Sequence, residues 1–82
     1  MKELLYEIIE KAALLGLPDT DISTANEFLD HHEFGLCLDT IITQMYENEV
    51  HIDFDFYNMV VAAAKKMEIS IGDISFIKKL LL

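Results

Sequence analysis

Between Asp30 and Asp55 this 82-residue chain places all three of its histidines, its single cysteine and a series of carboxylates, the side chains best equipped for chemistry. His31 and His32 are adjacent, so on a helix their side chains diverge by about 100° and cannot share a metal ion without a bend. Asp30 and His51 could complete such a site, but none of the usual zinc spacings is present. Two polar residues at a helix C-terminus, where a protonated imidazole complements the dipole, account for the pair more simply. Asp53-Phe54-Asp55 matches the opening of a calcium loop. The sixth position, however, is Asn58 where the sharp turn needs Gly, and the twelfth is Ala64 where a bidentate Glu is needed.

Cys37 with His31 or His32 is the one thiol and imidazole combination, yet it falls between Leu36 and Leu38 in a helical pattern and reads as a core thiol. A lone cysteine forms no internal disulfide, which fits a reducing compartment. There is no glycine-rich phosphate loop, no arginine and no Ser-His-Asp candidate. The sequence therefore predicts a protein that is not an enzyme and that uses neither metal nor cofactor.

What remains is charge. Fifteen acids face six lysines and no arginine, for a formal net charge of −9. From Ala12 to Ala64 there is no Lys or Arg, and all the lysines lie outside that window, at Lys2, Lys11, Lys65, Lys66, Lys78 and Lys79. A one-sign field over the middle of a fold attracts a basic surface and repels nucleic acid and anionic membrane. Helix capping and solvation account for part of the set, but a complete absence of bases exceeds what solubility requires. The acids expected to meet a partner are Asp30, Glu33, Asp39, Glu47, Glu49, Asp53 and Asp55, with Tyr46 and Phe54 as apolar or amphipathic anchors. Phe54 and Phe56 bracket Asp55 and point to different faces of a helix, so one of them is expected on the surface.

These side chains need a scaffold, and the pattern supplies an all-α one spanning residues 1–82 as a single domain. Leu4, Leu5, Ile8, Ile9, Ala12 and Leu15 form a helical stripe that ends where Gly16 can turn left-handed, Leu17 can cover the end and Pro18 cannot continue. A second helix starts at Asp19 or Asp21, an earlier start that is preferred to the Thr24 and Glu27 capping box that also fits, and buries Ile22, Ala25, Phe28 and Leu29 up to His31 and His32. A short link through Gly35, where two backbones could approach closely and where an N-terminal position in the next helix would equally suit a glycine, leads to a third helix carrying Leu36, Leu38, Ile41, Ile42 and Met45. Asp53 caps a fourth, with Ile52 stapled onto Tyr57 and with Val60, Val61, Ala64 and Met67 inside. Ser70 and Asp73 suggest a capping box for a fifth, containing Ile74, Ile77 and Leu81. The expectation is a compact bundle of about five short helices around a central antiparallel hairpin. Glu3, Glu7 and Glu10 interrupt any secretory leader and no run reaches the length of a membrane span, so the chain is expected to be cytoplasmic.

The stretch Glu27-Phe28-Leu29-Asp30-His31-His32-Glu33-Phe34-Gly35-Leu36-Cys37-Leu38-Asp39, followed by Met45-Tyr46-Glu47 and the Ile52-Asp53 cap, resembles the small all-helical MafI-like immunity proteins associated with contact-dependent growth inhibition toxins in bacteria. The likeness covers about half the chain, with Cys37 where that family is expected to have Ala. It implies a cytoplasmic antidote, of the contact-dependent growth inhibition immunity kind, that binds a cognate toxin domain and blocks it. The implied toxin is a nuclease, including ribonucleases of the EndoU type. The charge argument is independent and agrees, because a nuclease presents a basic groove for phosphates. Two other classes compete. A tetratricopeptide-like scaffold fits Ala25, Phe28, Leu29, Phe34, Gly35 and Leu38 loosely, but no second unit follows at its period. An acidic mimic of nucleic acid, inhibiting DNA-binding proteins generally, shares the charge and none of the specificity.

Overall fold

Four amphipathic stretches become the α-helices: α1 (Lys2–Leu15), α2 (Asp19–Asp30), α3 (Phe34–Glu47) and α4 (Phe54–Lys66), followed by two 3-10 segments, Ile71–Asp73 and Ser75–Leu80. The computed structural model describes all 82 residues. It has no strand; Ile52 and Leu81 form one isolated parallel bridge, with the Ile52 N–H donating to the Leu80 carbonyl at 2.9 Å.

Helix α1 lies against α2, α3 and α4, and the 3-10 segment Ser75–Leu80 closes over α3. The buried residues are all apolar and form one continuous cluster, in which Phe56, Leu5, Ile8, Leu38, Ile41 and Met45 are among the largest fully enclosed side chains. Helices α2 and α3 fold back on each other as the expected hairpin. The antiparallel sense is marked at its open end, where Asn48 Nδ2 after α3 donates to Asp21 Oδ2 in the first turn of α2 at 3.5 Å.

All four α-helices end in the same way. Leu17, Glu33, Val50 and Ile69 each return an N–H to a carbonyl five residues back, at 2.8–3.0 Å, and the residue before each of them is left-handed. This six-to-one closure satisfies carbonyls that a helix end otherwise orphans. Only α1 uses the expected glycine, Gly16, at φ 120°. The other three place His32, Glu49 and Glu68 at φ 59°, 51° and 57°, a conformation that costs an L-residue roughly 1–2 kcal/mol.

Several expectations need correction. The turn between α2 and α3 is made by His32 and not by Gly35, which sits in the first turn of α3 with nothing within 4 Å of where a Cβ would stand. Helix α2 has the preferred early start at Asp19, but no side chain caps it, and the Thr24 hydroxyl donates to the Thr20 carbonyl inside the helix at 3.0 Å. Leu36 is about half exposed, and Cys37 takes the buried place beside it. The fifth, short helix forms in two 3-10 pieces and not as an α-helix, because Ser70 Oγ accepts from the Gly72 N–H at 3.3 Å and closes a tighter turn than a capping box. Its apolar residues Ile74 and Ile77 are nevertheless fully buried.

Candidate functional site

Folding gathers acids from helix ends and from the exposed side of α1 into two grooves. The first lies where the end of α3, the link to α4 and the last 3-10 segment meet. It is open, about 600 Å³, and lined by Tyr46, Glu47, Glu49, His51, Lys79 and Leu80. Tyr46 is held edge-on against Phe76, centroids 5.3 Å apart, with the ring 39% exposed. Glu47 is the last residue of α3, in a turn with no base to balance the carbonyl dipole, and Glu49 holds the left-handed position after it. Local helix physics opposes both placements.

The second groove, about 490 Å³, runs between α1 and α2. Tyr6 gives it apolar surface above the buried Leu29, and Glu3, Glu7, Glu10 and Asp30 bring four carboxylates to it. Of these, sequence reasoning singled out only Asp30. The signal that could have found the rest is the spacing of Glu3, Glu7 and Glu10, which puts them on one side of α1, with Tyr6 half exposed beside them.

The other expected residues are spread over the surface. Phe54 is 68% exposed while Phe56 is fully buried, so Phe54 is the outward aromatic of that pair. Asp55 and Glu33 are exposed at the starts of α4 and α3. Asp39 Oδ1 accepts from Thr43 Oγ1 at 3.4 Å beside a shallow apolar dimple of about 90 Å³. Asp53 already has structural work. Its Oδ1 accepts the Phe56 N–H at 2.8 Å and its Oδ2 lies 3.1 Å from Lys11 Nζ. The Phe56 hydrogen bond first, and then Lys11, hold its carboxyl below the ordinary value of 3.8. The nine residues therefore do not form one site; Tyr46, Glu47 and Glu49 are the three that converge.

The basic-free window of the sequence is not basic-free in space. Lys11 reaches Asp53, Lys79 lines the groove of Glu47 and Glu49, and Lys78 lies 5.7 Å from the centre of the Tyr57 ring. Lysines at both ends of the chain fold back over its acidic middle. Even so, the Lys11–Asp53 pair is the one ion pair within 4.0 Å.

The groups with nucleophilic or ligating chemistry stay apart. Cys37 is fully buried, and burial pushes its thiol up to about 11. His31 Nδ1 is 2.8 Å from the Glu27 carbonyl, and the His32 ring packs 5.6 Å from Phe34. No three His, Cys, Asp or Glu side chains converge as a ligand set, and no helix is long and apolar enough to cross a membrane. Comparison with known protein families, with curated proteins and with solved structures returned no match.

Proposed function

We propose that the chain is a binding protein without catalytic activity, an antidote that holds a basic toxin domain, of which a ribonuclease is the foremost class. The observation that carries this reading is the state of the acids: of fifteen, only Asp53 has a cation within 4.0 Å. Unpaired carboxylates on a small surface raise the folded chain's energy by mutual repulsion, and a basic partner relieves it. Exposed Tyr46 and Phe54 add the amphipathic surface from which hot spots are made. The resemblance of the Glu27–Asp39 segment to immunity proteins supplies the biological setting.

Glu33 and Glu47 lie about 20 Å apart along α3, by the helical rise. One interface of ordinary size covers that span. Affinity is expected at the nanomolar level or below, because an antidote must keep free toxin near zero. Carboxylates desolvated against Lys or Arg should cost about 2–5 kcal/mol when truncated, whereas those at the edge should chiefly speed encounter.

The test is co-expression with the product of the neighbouring gene, co-purification, and a salt titration of the complex. Reversing Glu33, Asp39 and Glu47 to Lys together should slow association and abolish protection of the host cell. Unchanged association and protection in that variant, or a neighbour that is not a toxin, would leave the acids as a solvated face and end this reading.

A further inference from the structure

Helix α1 carries Glu3, Glu7 and Glu10 at i, i+4 and i+7, so that like charges stand over one another and weaken the helix. Lys11, four residues after Glu7, is placed to relieve them, but its ammonium lies against Asp53. Across the groove Asp30 ends α2, where the carbonyl dipole repels a negative charge and the last turn holds no base. Glu3 sits in the first turn of α1, where the dipole favours it, but Glu7 and Glu10 stand among like charges and Asp30 against a helix C-terminus, and all four line the same open groove of about 490 Å³. None has a cation within 4.0 Å, and Lys2 is the one basic residue in the lining. The walls between them are mostly carbon, with Tyr6 52% exposed over the buried Leu29 of α2.

We propose that this α1–α2 groove docks a polypeptide segment carrying Lys or Arg next to an apolar side chain. Cations of the segment meet the four acids, and its apolar body lies on Tyr6. Arginine suits the site best, because its planar guanidinium can stack on the phenol ring while its N–H groups meet a carboxylate in pairs. A bare metal ion makes no use of the carbon walls, and nucleic acid or an anionic lipid surface is repelled by the same acids. This surface is separate from the groove around Tyr46, and it rests on the function proposed above only for the partner's biological identity.

A synthetic amphipathic peptide of Arg, Leu and Ala, with an Arg→Glu version as control, provides a probe that needs no toxin. Titrated into the whole, isotopically labelled protein, it should shift the amides of Tyr6, Glu7, Asn26 and Asp30 saturably and leave those of Tyr46, Glu47 and Glu49 in place. Tyr6→Ala and Glu7→Lys should each weaken binding about tenfold or more, while Tyr46→Ala should leave it within about twofold. The same spectra report whether each variant is folded, and both substitutions fall at exposed positions. Absence of binding, shifts centred on the Tyr46 groove, shifts spread over every acidic helix end, equal binding of the Glu peptide, or wild-type affinity in a folded Tyr6→Ala protein would each overturn the proposal. A toxin complex that fails to form bears on the function proposed above, and leaves this peptide experiment unaffected.

Discussion

Lys11 and Asp53 are joined at 3.1 Å between Nζ and Oδ2, and the same aspartate caps α4 through Oδ1 and the Phe56 N–H. One side chain therefore starts the fourth helix and ties it to the first. Both contacts act on the ionised form, which is why the carboxyl titrates below 3.8. A depressed folded-state value means stability that is present above the ordinary carboxylate range and lost as pH falls through the folded value.

Replacing Asp53 should expose this linkage. Asp53→Ala removes cap and pair and should lower the Tm by several degrees at neutral pH, with Asp53→Asn between it and wild type because an amide still caps. Lys11→Met should cost less, since an exposed ion pair contributes little. Salt should shrink only the lysine part. Thermal melts from about pH 7 down to about pH 2 check the sign: the gap between wild type and Asp53→Ala should close in acid. A gap that stays constant would show that the charge of Asp53 plays no part.

The left-handed ends give the clearest opportunity for stabilisation. Glu68 ends α4 at φ 57°, away from both acidic grooves. Glycine there removes the strain of an L-residue, offset in part by its larger unfolded-state entropy, for a net gain of about 0.5–1 kcal/mol. At φ 120° Gly16 should show the converse, with Gly16→Ala destabilising by about 1–3 kcal/mol. Urea denaturation with unchanged m-values tests both. A loss of stability in Glu68→Gly would mean that the glutamate side chain holds the turn in a way its conformation does not reveal.

Why these positions escape a reading of the sequence is plain from the residues. Gly16-Leu17-Pro18 announces a helix end in three ways at once, and α1 stops there. His32, Glu49 and Glu68 announce no left-handed turn by residue type; after Glu49 and Glu68 the chain turns to bring Val50, which is buried, and Ile69, which is partly so, onto the core, whereas Glu33 after His32 is exposed. The last segment shows the opposite failure. Its apolar residues Ile74 and Ile77 are correctly inside, but Gly72 and the Ser70 side chain favour a tighter turn, so a right pattern carries a wrong helical period. The site is less legible still. A window without lysine points to α2 and α3, whereas the groove that collects four carboxylates is built mostly from α1, and nothing local reveals which helix packs beside which.

Cys37 should behave as a reporter of unfolding. Its thiol is fully buried and pushed up to about 11, above the unfolded value near 9.0. A raised value for an acid means that the unfolded chain ionises first, so stability should fall as pH rises from about 9 towards 11. Near the middle of that window the slope approaches about 1.4 kcal/mol per pH unit. The proper comparison is with Cys37→Ala, in which this slope should be missing. Disulfide-exchange reagents should label the native protein only at its opening rate. Fast labelling of the folded state would contradict the burial.

The acids at helix C-termini offer the test that separates structural from binding roles without any partner present. Asp30 closes α2 and Glu47 closes α3, and neither last turn contains a base. Neither carboxylate accepts a hydrogen bond or meets a cation within 4.0 Å. Removing a negative charge from such a position should stabilise the helix by about 0.3–1 kcal/mol at low ionic strength. Asp30→Asn and Glu47→Gln should therefore each raise the Tm, and their effects should add, since they lie in different grooves. About 0.1 M salt should already halve the gain, as expected for exposed charges. Residues that lower stability where they stand are the ones whose use must be sought outside the folded chain. If the two substitutions instead lower the Tm, the carboxylates belong to the fold, and the case for a basic partner at either groove loses its physical basis.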